Sequence, residues 1–181
     1  IIMVDEEWKD FKMSNFHSLW IVPIGKAFDT FVKINKELSQ KYDAPIFEPH
    51  MTLIGNLEIN QEECLQKSGI LASLIKPFSI RFKIAKCLDK YYRCVFAKAD
   101  ESAQLINAAK LAKQIFYDNG EEFIPHISLL YGDYSMDLRK TIVKSLNFDV
   151  EFMFEKLIVT NSSKFSKISD WKIIEEIKLV E

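Results

Sequence analysis

Pro49-His50-Met51-Thr52-Leu53-Ile54 and, 76 positions later, Pro125-His126-Ile127-Ser128-Leu129-Leu130 are one phrase written twice. Each reads Pro-His-x-(Ser/Thr)-Leu, and each is followed shortly by a glycine, Gly55 in the first copy and Gly132 in the second. Side chains alternate faces along a β-strand, so His50 and Thr52 project to one side while Met51 and Leu53 project to the other. His126 and Ser128 are set against Ile127 and Leu129 in the same way. Each copy therefore offers an imidazole and a hydroxyl to one surface and anchors its strand with apolar residues behind. The interval between copies exceeds the roughly 20–50-residue period of stacked repeats and predicts a duplicated half-domain. Two lobes related by a rough two-fold axis would set His50 and His126 opposite one another across a cleft.

The residue types fix a chemistry. Histidine titrates near physiological pH, so a matched pair supplies one general base and one general acid. Two hydroxyls beside them can donate to the non-bridging oxygens of a tetrahedral phosphate. His50, His126, Thr52 and Ser128 are the candidate catalytic set. The near identity of the copies leaves open which ring is base and which acid, with His126 favoured as the base.

Working outward, His17–Ile24 reads as a strand stopped by Pro23 and Gly25, and Lys26–Tyr42 as a helix with Phe28, Phe31, Val32, Leu38 and Tyr42 on one stripe. The first motif continues as a strand to about Ile59. Asn60 and Glu63 form a capping box before a second amphipathic helix through Leu65, Ser68, Leu71, Ala72 and Ile75. Phe78–Leu88 and Tyr91–Ala99 read as strands joined by a tight Asp89-Lys90 turn. Asp100 is placed as the cap of a third helix that Asn119-Gly120 stops. After the second motif come a short helix over Ser135–Leu146 and two strands, Phe148–Thr160 and Trp171–Val180, around a polar loop at Asn161-Ser162-Ser163. The pattern is α+β: a single bilobal domain over residues 1–181, with antiparallel sheets, helices outside and a central cleft. No Gly-, Ser- or Pro-rich linker separates the halves. The chain opens on Ile1, and Met13-Ser14-Asn15 would also serve as a start, so Ile1 to Lys12 is read as an extension without functional weight.

Composition narrows the class. The chain has 181 residues, 48% hydrophobic, with 14 Phe but only 5 Gly and 5 Pro, as an ordinary globular protein does. Net charge is −2 and no dense basic run appears, which argues against gripping a long nucleic-acid backbone. Cys64, Cys87 and Cys94 show no Cys-x-x-Cys spacing and read as reduced thiols of a cytoplasmic protein. No stretch approaches the roughly 18–20 apolar residues of a membrane span, and no signal peptide is evident.

The motifs resemble those of the two-histidine phosphoesterases, and within them the cyclic phosphodiesterase branch known from plants and yeast. Phe47-Glu48-Pro49-His50-Met51-Thr52-Leu53 is similar to that branch's first motif, and Pro125-His126-Ile127-Ser128-Leu129-Leu130-Tyr131-Gly132-Asp133 to its longer second one. Ser18-Leu19-Trp20 resembles a first strand whose aromatic lines the pocket, and Arg93-Cys94-Val95-Phe96 a strand whose phenylalanine faces the site. The resemblance runs from about His17 to Val180. It implies metal-free hydrolysis, without a cofactor, of a small cyclic phosphate, ADP-ribose 1″,2″-cyclic phosphate or a nucleoside 2′,3′-cyclic phosphate, with Tyr131, Trp20 and Phe96 binding substrate. Arg93 departs from the neutral polar residue expected there.

Competing readings are weaker. His17 lacks the motif and reads as a strand-edge residue. Two histidines with no cysteine or acid at ligand spacing do not make a zinc site. The same fold could act on RNA ends, 2′,3′-cyclic or 2′,5′-linked, if a positive channel led from the cleft. A nucleotide-binding module that senses without cleaving would have no need of an acid–base pair. The expected partner is a small-molecule cyclic phosphate, with RNA ends as the alternative, and a monomer away from membranes is expected.

Overall fold

The computed structural model describes residues 15–117, 120 and 122–181. The extension Ile1 to Lys12, Met13-Ser14 and the Asn119 stop signal lie outside them. The described chain runs β1 (Phe16–Ile21), α1 (Gly25–Tyr42), β2 (Met51–Glu58), α2 (Gln61–Ser73), β3 (Phe78–Cys87), β4 (Val95–Ala99), α3 (Ala103–Ile115), β5 (His126–Leu130), α4 (Met136–Ser145), β6 (Val150–Phe154), β7 (Lys156–Thr160) and β8 (Ile173–Lys178).

Period-two patterning builds the sheets. Phe78, Ile80 and Phe82 of β3 are buried while Ser79, Arg81 and Lys83 face out, and Val150, Phe152 and Phe154 of β6 match them across the ladder, Ile80 opposite Phe152. The strands form two four-stranded sheets, ordered β2-β1-β7-β8 and β5-β4-β3-β6, with every neighbouring pair antiparallel. The expected two-lobed α+β fold is what the chain adopts. The two motif strands occupy equivalent places: β2 and β5 are each the edge strand of their sheet, next to β1 and β4.

The helices cross between lobes. Helix α1 joins two strands of the first sheet yet packs on β5 and β6 of the second, while α3 joins two strands of the second and packs on β2 of the first. Helix α2 covers β7 and β8, and α4 covers β3 and β4. One contiguous apolar cluster, from Leu19 and Phe31 through Phe82 and Phe152 to Leu179, fills the space between the layers. The exchange of helices ties the cleft's two walls to a shared core.

Four local expectations need correction. The span Phe148–Thr160 is two strands in two different sheets, because the successive exposed residues Glu155 and Lys156 break the alternation that Phe154 ends and Leu157 resumes. Tyr91–Arg93 is a single 3-10 turn, and its strand begins only at Val95. Ser102, not Asp100, caps α3, its side chain accepting from the Leu105 amide at 3.2 Å. The buried line of α1 is Ala27, Phe31, Asn35 and Ser39, with Val32 exposed. Asn35 is buried because it works as a tie: its Nδ2 donates to the Leu129 carbonyl (3.2 Å) and its Oδ1 accepts from the Phe47 amide (3.3 Å). One α1 side chain thus joins the segment leading into His50 to the strand that carries His126.

Candidate active site

His50 ends the segment before β2, His126 opens β5, and both rings line one cleft of about 630 Å³. That volume lies in the ~300–1,000 Å³ range of small-ligand pockets. The rings are held alike. His50 Nδ1 lies 2.7 Å from the Glu48 carbonyl and His126 Nδ1 lies 2.6 Å from the Ile124 carbonyl, in each case two residues back. A carbonyl oxygen can only accept, so each Nδ1 carries a proton and donates it. Each neutral ring is therefore left with its lone pair on Nε2.

The cross-strand neighbours repeat the symmetry. Trp20 of β1 stands opposite Thr52, and Phe96 of β4 stands opposite Ser128. Trp20 stacks on the His50 ring, centroids 3.7 Å apart and 12° from parallel, whereas Phe96 meets the His126 ring edge-on at 5.1 Å and 66°. Trp20 reaches the cleft surface. Phe96 is buried behind its histidine and is not among the lining residues, so its contact is with the ring. Tyr131 lines the cleft floor, stacked on Phe47 at 3.8 Å, and burial pushes its phenol up.

The hydroxyls differ. Thr52 is half-buried in the cleft wall and its hydroxyl makes no hydrogen bond among the described residues. Ser128 Oγ donates to the Tyr92 carbonyl at 2.7 Å. The glycines after each motif also have reasons. A Cβ on Gly55 would meet Thr52 Cγ2 at 2.9 Å, so its absence leaves Thr52 room. Gly132 has φ +151, and a Cβ there would come within 2.3 Å of the Tyr134 ring.

Burial in the cleft wall depresses both imidazoles to about 4. In each case the backbone hydrogen bond opposes the shift. The positive charge of His126 adds to it at His50, and that of Arg93 adds to it at His126. Without an anion in the cleft both rings are neutral at pH 7. His17 stands apart: it is buried, its Nδ1 is 3.0 Å from the Ile59 carbonyl, and it does not line the cleft. Among the described residues no three His, Cys, Asp or Glu side chains converge as metal ligands, and no helix is long and apolar enough to cross a membrane.

Three features escaped the sequence reading. Trp171 lines the cleft, its ring edge-on to His50 at 5.9 Å and to Trp20 at 5.8 Å, its indole Nε1 donating to Ser166 Oγ at 3.0 Å. A lone tryptophan just ahead of the last strand was the available signal. Ser162 and Ser163, in the segment read as a polar loop, are buried against the cleft, with Ser18 Oγ donating to the Ser162 carbonyl at 2.8 Å. Finally, among the described residues Lys90, Arg93, Lys113 and Lys164 line the cleft together with a single carboxylate, Glu122. The chain's net charge of −2 gave no hint of these basic side chains.

A family model described as cyclic phosphodiesterase-like protein matches residues 13–181. The chain belongs to this family. It is 21% identical over 125 residues to a cyclic phosphodiesterase of Arabidopsis thaliana, covering 68% of this chain and 69% of the relative. It is 26% identical over 162 residues to a 2′,3′-cyclic-nucleotide 3′-phosphodiesterase of Kluyveromyces lactis, covering 76% and 74%. Its fold is similar to that of Escherichia coli LigT complexed with 3′-AMP, with a TM-score of 0.61 at 12% identity over 93% of this chain and 99% of that one. The two-histidine phosphoesterase resemblance read from the motifs thus holds for fold and family, and the expected enzyme class, a phosphodiesterase, is that of the named relatives.

Proposed function

We propose that this protein hydrolyses a small cyclic phosphate with His50 and His126 as an acid–base pair and without a metal. The observation that carries the reading is the matched pair of imidazoles, each with Nδ1 held by its own backbone and Nε2 left for substrate in one cleft. The roles follow from the surroundings. A protonated ring gains from an aromatic face, and His50 lies flat on Trp20. His126 has the Arg93 cation nearby, which favours its neutral form. So His126 Nε2 takes a proton from water as the water oxygen attacks phosphorus in line. The bond to the ring oxygen opposite breaks, and His50 Nε2 gives that oxygen its proton. Thr52 donates to a phosphoryl oxygen as charge builds in the phosphorane. The product is an acyclic phosphate monoester.

The substrates we propose are ADP-ribose 1″,2″-cyclic phosphate and nucleoside 2′,3′-cyclic phosphates. The names of the two curated relatives support the cyclic-phosphate class. The four basic side chains in the cleft favour a second reading, an RNA end bearing a 2′,3′-cyclic phosphate or a 2′,5′ linkage. Free thiols at Cys64, Cys87 and Cys94 suit the reducing cytoplasm in which we place the protein. The test is a substrate panel of these three classes run with and without EDTA. Turnover of at least one class, unchanged by chelation, is expected. Binding without turnover would mean a sensor, and activity lost to EDTA and restored by zinc or manganese would mean metal chemistry.

A further inference from the structure

Arg139 of α4 is the largest almost fully buried side chain among the described residues, and it is not among those that line the cleft. A buried guanidinium is costly unless its donors are satisfied. The carboxylate it pairs with, Asp89 at 3.4 Å, is itself largely exposed to water. Its other acceptors are backbone. Nε donates to the Tyr134 carbonyl at 2.7 Å, and Nη1 donates to the carbonyls of Leu88 and Lys90. The last two belong to residues 88–93, the connection from β3 to β4, which has no regular structure beyond its single 3-10 turn. The same connection is tied by the Gly132 amide on the Tyr91 carbonyl (3.2 Å), the Leu88 amide on the Arg93 carbonyl (3.0 Å) and the Arg93 amide on the Lys90 carbonyl (3.3 Å).

Held in this way the connection is a ledge packed on β5, and Lys90, Tyr91, Tyr92 and Arg93 all line the cleft from it. Two of the four are cations on one short turn. They repel each other while no anion is bound, and an untied turn would let them swing into water. The tie has to be an arginine to reach so far. Its planar fork presents five donors, here spread over both ends of the ledge's first turn, the Tyr134 carbonyl and Asp89, whereas the three donors of a lysine radiate from one point. We propose that Arg139 is a positioning residue of the active site, fixing the 88–93 ledge before the ligand arrives so that Lys90 and Arg93 already stand in the cleft wall for an anionic ligand. This rests on the cyclic phosphodiesterase reading above. The two imidazoles do not depend on the ledge, because their Nδ1 atoms are held by the Glu48 and Ile124 carbonyls. Loss of Arg139 therefore acts on binding before it acts on chemistry.

The experiment has a kinetic and a structural arm. Arg139→Met should raise KM for a nucleoside 2′,3′-cyclic phosphate, and the inhibition constant of inorganic phosphate, about tenfold, as for a ledge ordered a tenth of the time, with kcat kept within about threefold. Arg139→Lys should fall between Arg139→Met and the wild type. In a protein carrying both Lys90→Gln and Arg93→Gln, adding Arg139→Met should raise KM little further, since the charges it positions are gone. Multiplying losses would overturn the proposal, as would a fall in kcat at unchanged KM, the pattern of a residue that only supports the fold. Hydrogen exchange supplies the second arm and needs no variant. In the free wild-type protein the Leu88 and Arg93 amides should be protected, and inorganic phosphate should add little to that protection. Amides that exchange freely until phosphate binds would show that the ligand orders the ledge, and would overturn the proposal. A wild-type protein that turns over no cyclic phosphate would instead remove the functional reading, and the exchange and phosphate-binding results would still decide whether the ledge is fixed in advance.

Discussion

Both imidazoles lie at about 4, yet the mechanism needs one of them charged. At pH 7 a group with that pKa is protonated only about one part in a thousand, so the substrate has to supply the missing stabilisation. The phosphate can do so. A unit charge about 4 Å from an imidazolium, at an effective dielectric near 20, contributes roughly 4 kcal/mol. At about 1.36 kcal/mol per pKa unit this raises the acid by about three units, to near neutrality. The free enzyme and the complex should therefore give different pH profiles. The bell for kcat/KM, set by the free enzyme's pair, should be centred well below the ordinary imidazole value of about 6.5. The alkaline limb of kcat, set by the complex, should be displaced upward by about two to three units. The assay is steady-state hydrolysis of a nucleoside 2′,3′-cyclic phosphate from about pH 4 to 9, with kcat and kcat/KM resolved separately. Superimposable bells centred on about 6.5 would refute the reasoning, since they would mean that neither burial nor substrate charge sets the protonation of these rings.

Thr52→Ala removes the unengaged hydroxyl from the cleft wall and should lower kcat by about 10–10³-fold, less than loss of either motif histidine; an unchanged rate would reduce Thr52 to a strand-compatible residue. His17→Ala empties a buried site and leaves the Ile59 carbonyl without its partner, so urea unfolding should show a loss of about 1–3 kcal/mol while the shape of the pH–rate bell is kept. A changed bell would put His17 in the chemistry. Gly132→Ala should cost about 2–4 kcal/mol by the same measurement, because the backbone is at φ +151 and the Tyr134 ring in the way is held by its hydroxyl on the Tyr42 carbonyl. A cost under about 0.5 kcal/mol would mean that the ring yields freely.

The motifs were legible because their information is local. Alternation over His50–Leu53 and His126–Leu129 fixes which side chains share a face, and the 76-residue repeat implies facing lobes. What the sequence concealed depends on distant partners. The turn at Tyr91–Arg93 looked like a strand because Tyr-Tyr-Arg-Cys-Val has strand composition, and the side chain that brackets it, Arg139, lies about fifty residues on. Asn35 breaks the apolar stripe of α1 and would be read as solvent-facing, yet its partners are the Phe47 amide and the Leu129 carbonyl. The switch of sheets at Glu155 was written as two adjacent charges, a slip in phase that a single long strand cannot absorb.

Duplication alone would yield two equivalent rings, and two equivalent rings make a poor acid–base pair because each proton state is shared. The fold keeps the symmetry where it positions and breaks it where it tunes. Both Nδ1 atoms are fixed by the carbonyl two residues back, and both hydroxyls stand opposite an aromatic on the neighbouring strand. The aromatic is an indole face at 3.7 Å on one side and a phenyl edge at 5.1 Å on the other. The first favours a charged ring, and the second does so only weakly. Arg93 adds a cation on the phenyl side alone, pushing His126 further toward the neutral form. Both differences act in the direction we propose, with His50 as the acid and His126 as the base. The assignment therefore depends on residues outside the motifs, and no comparison of the two motif sequences with each other could have made it.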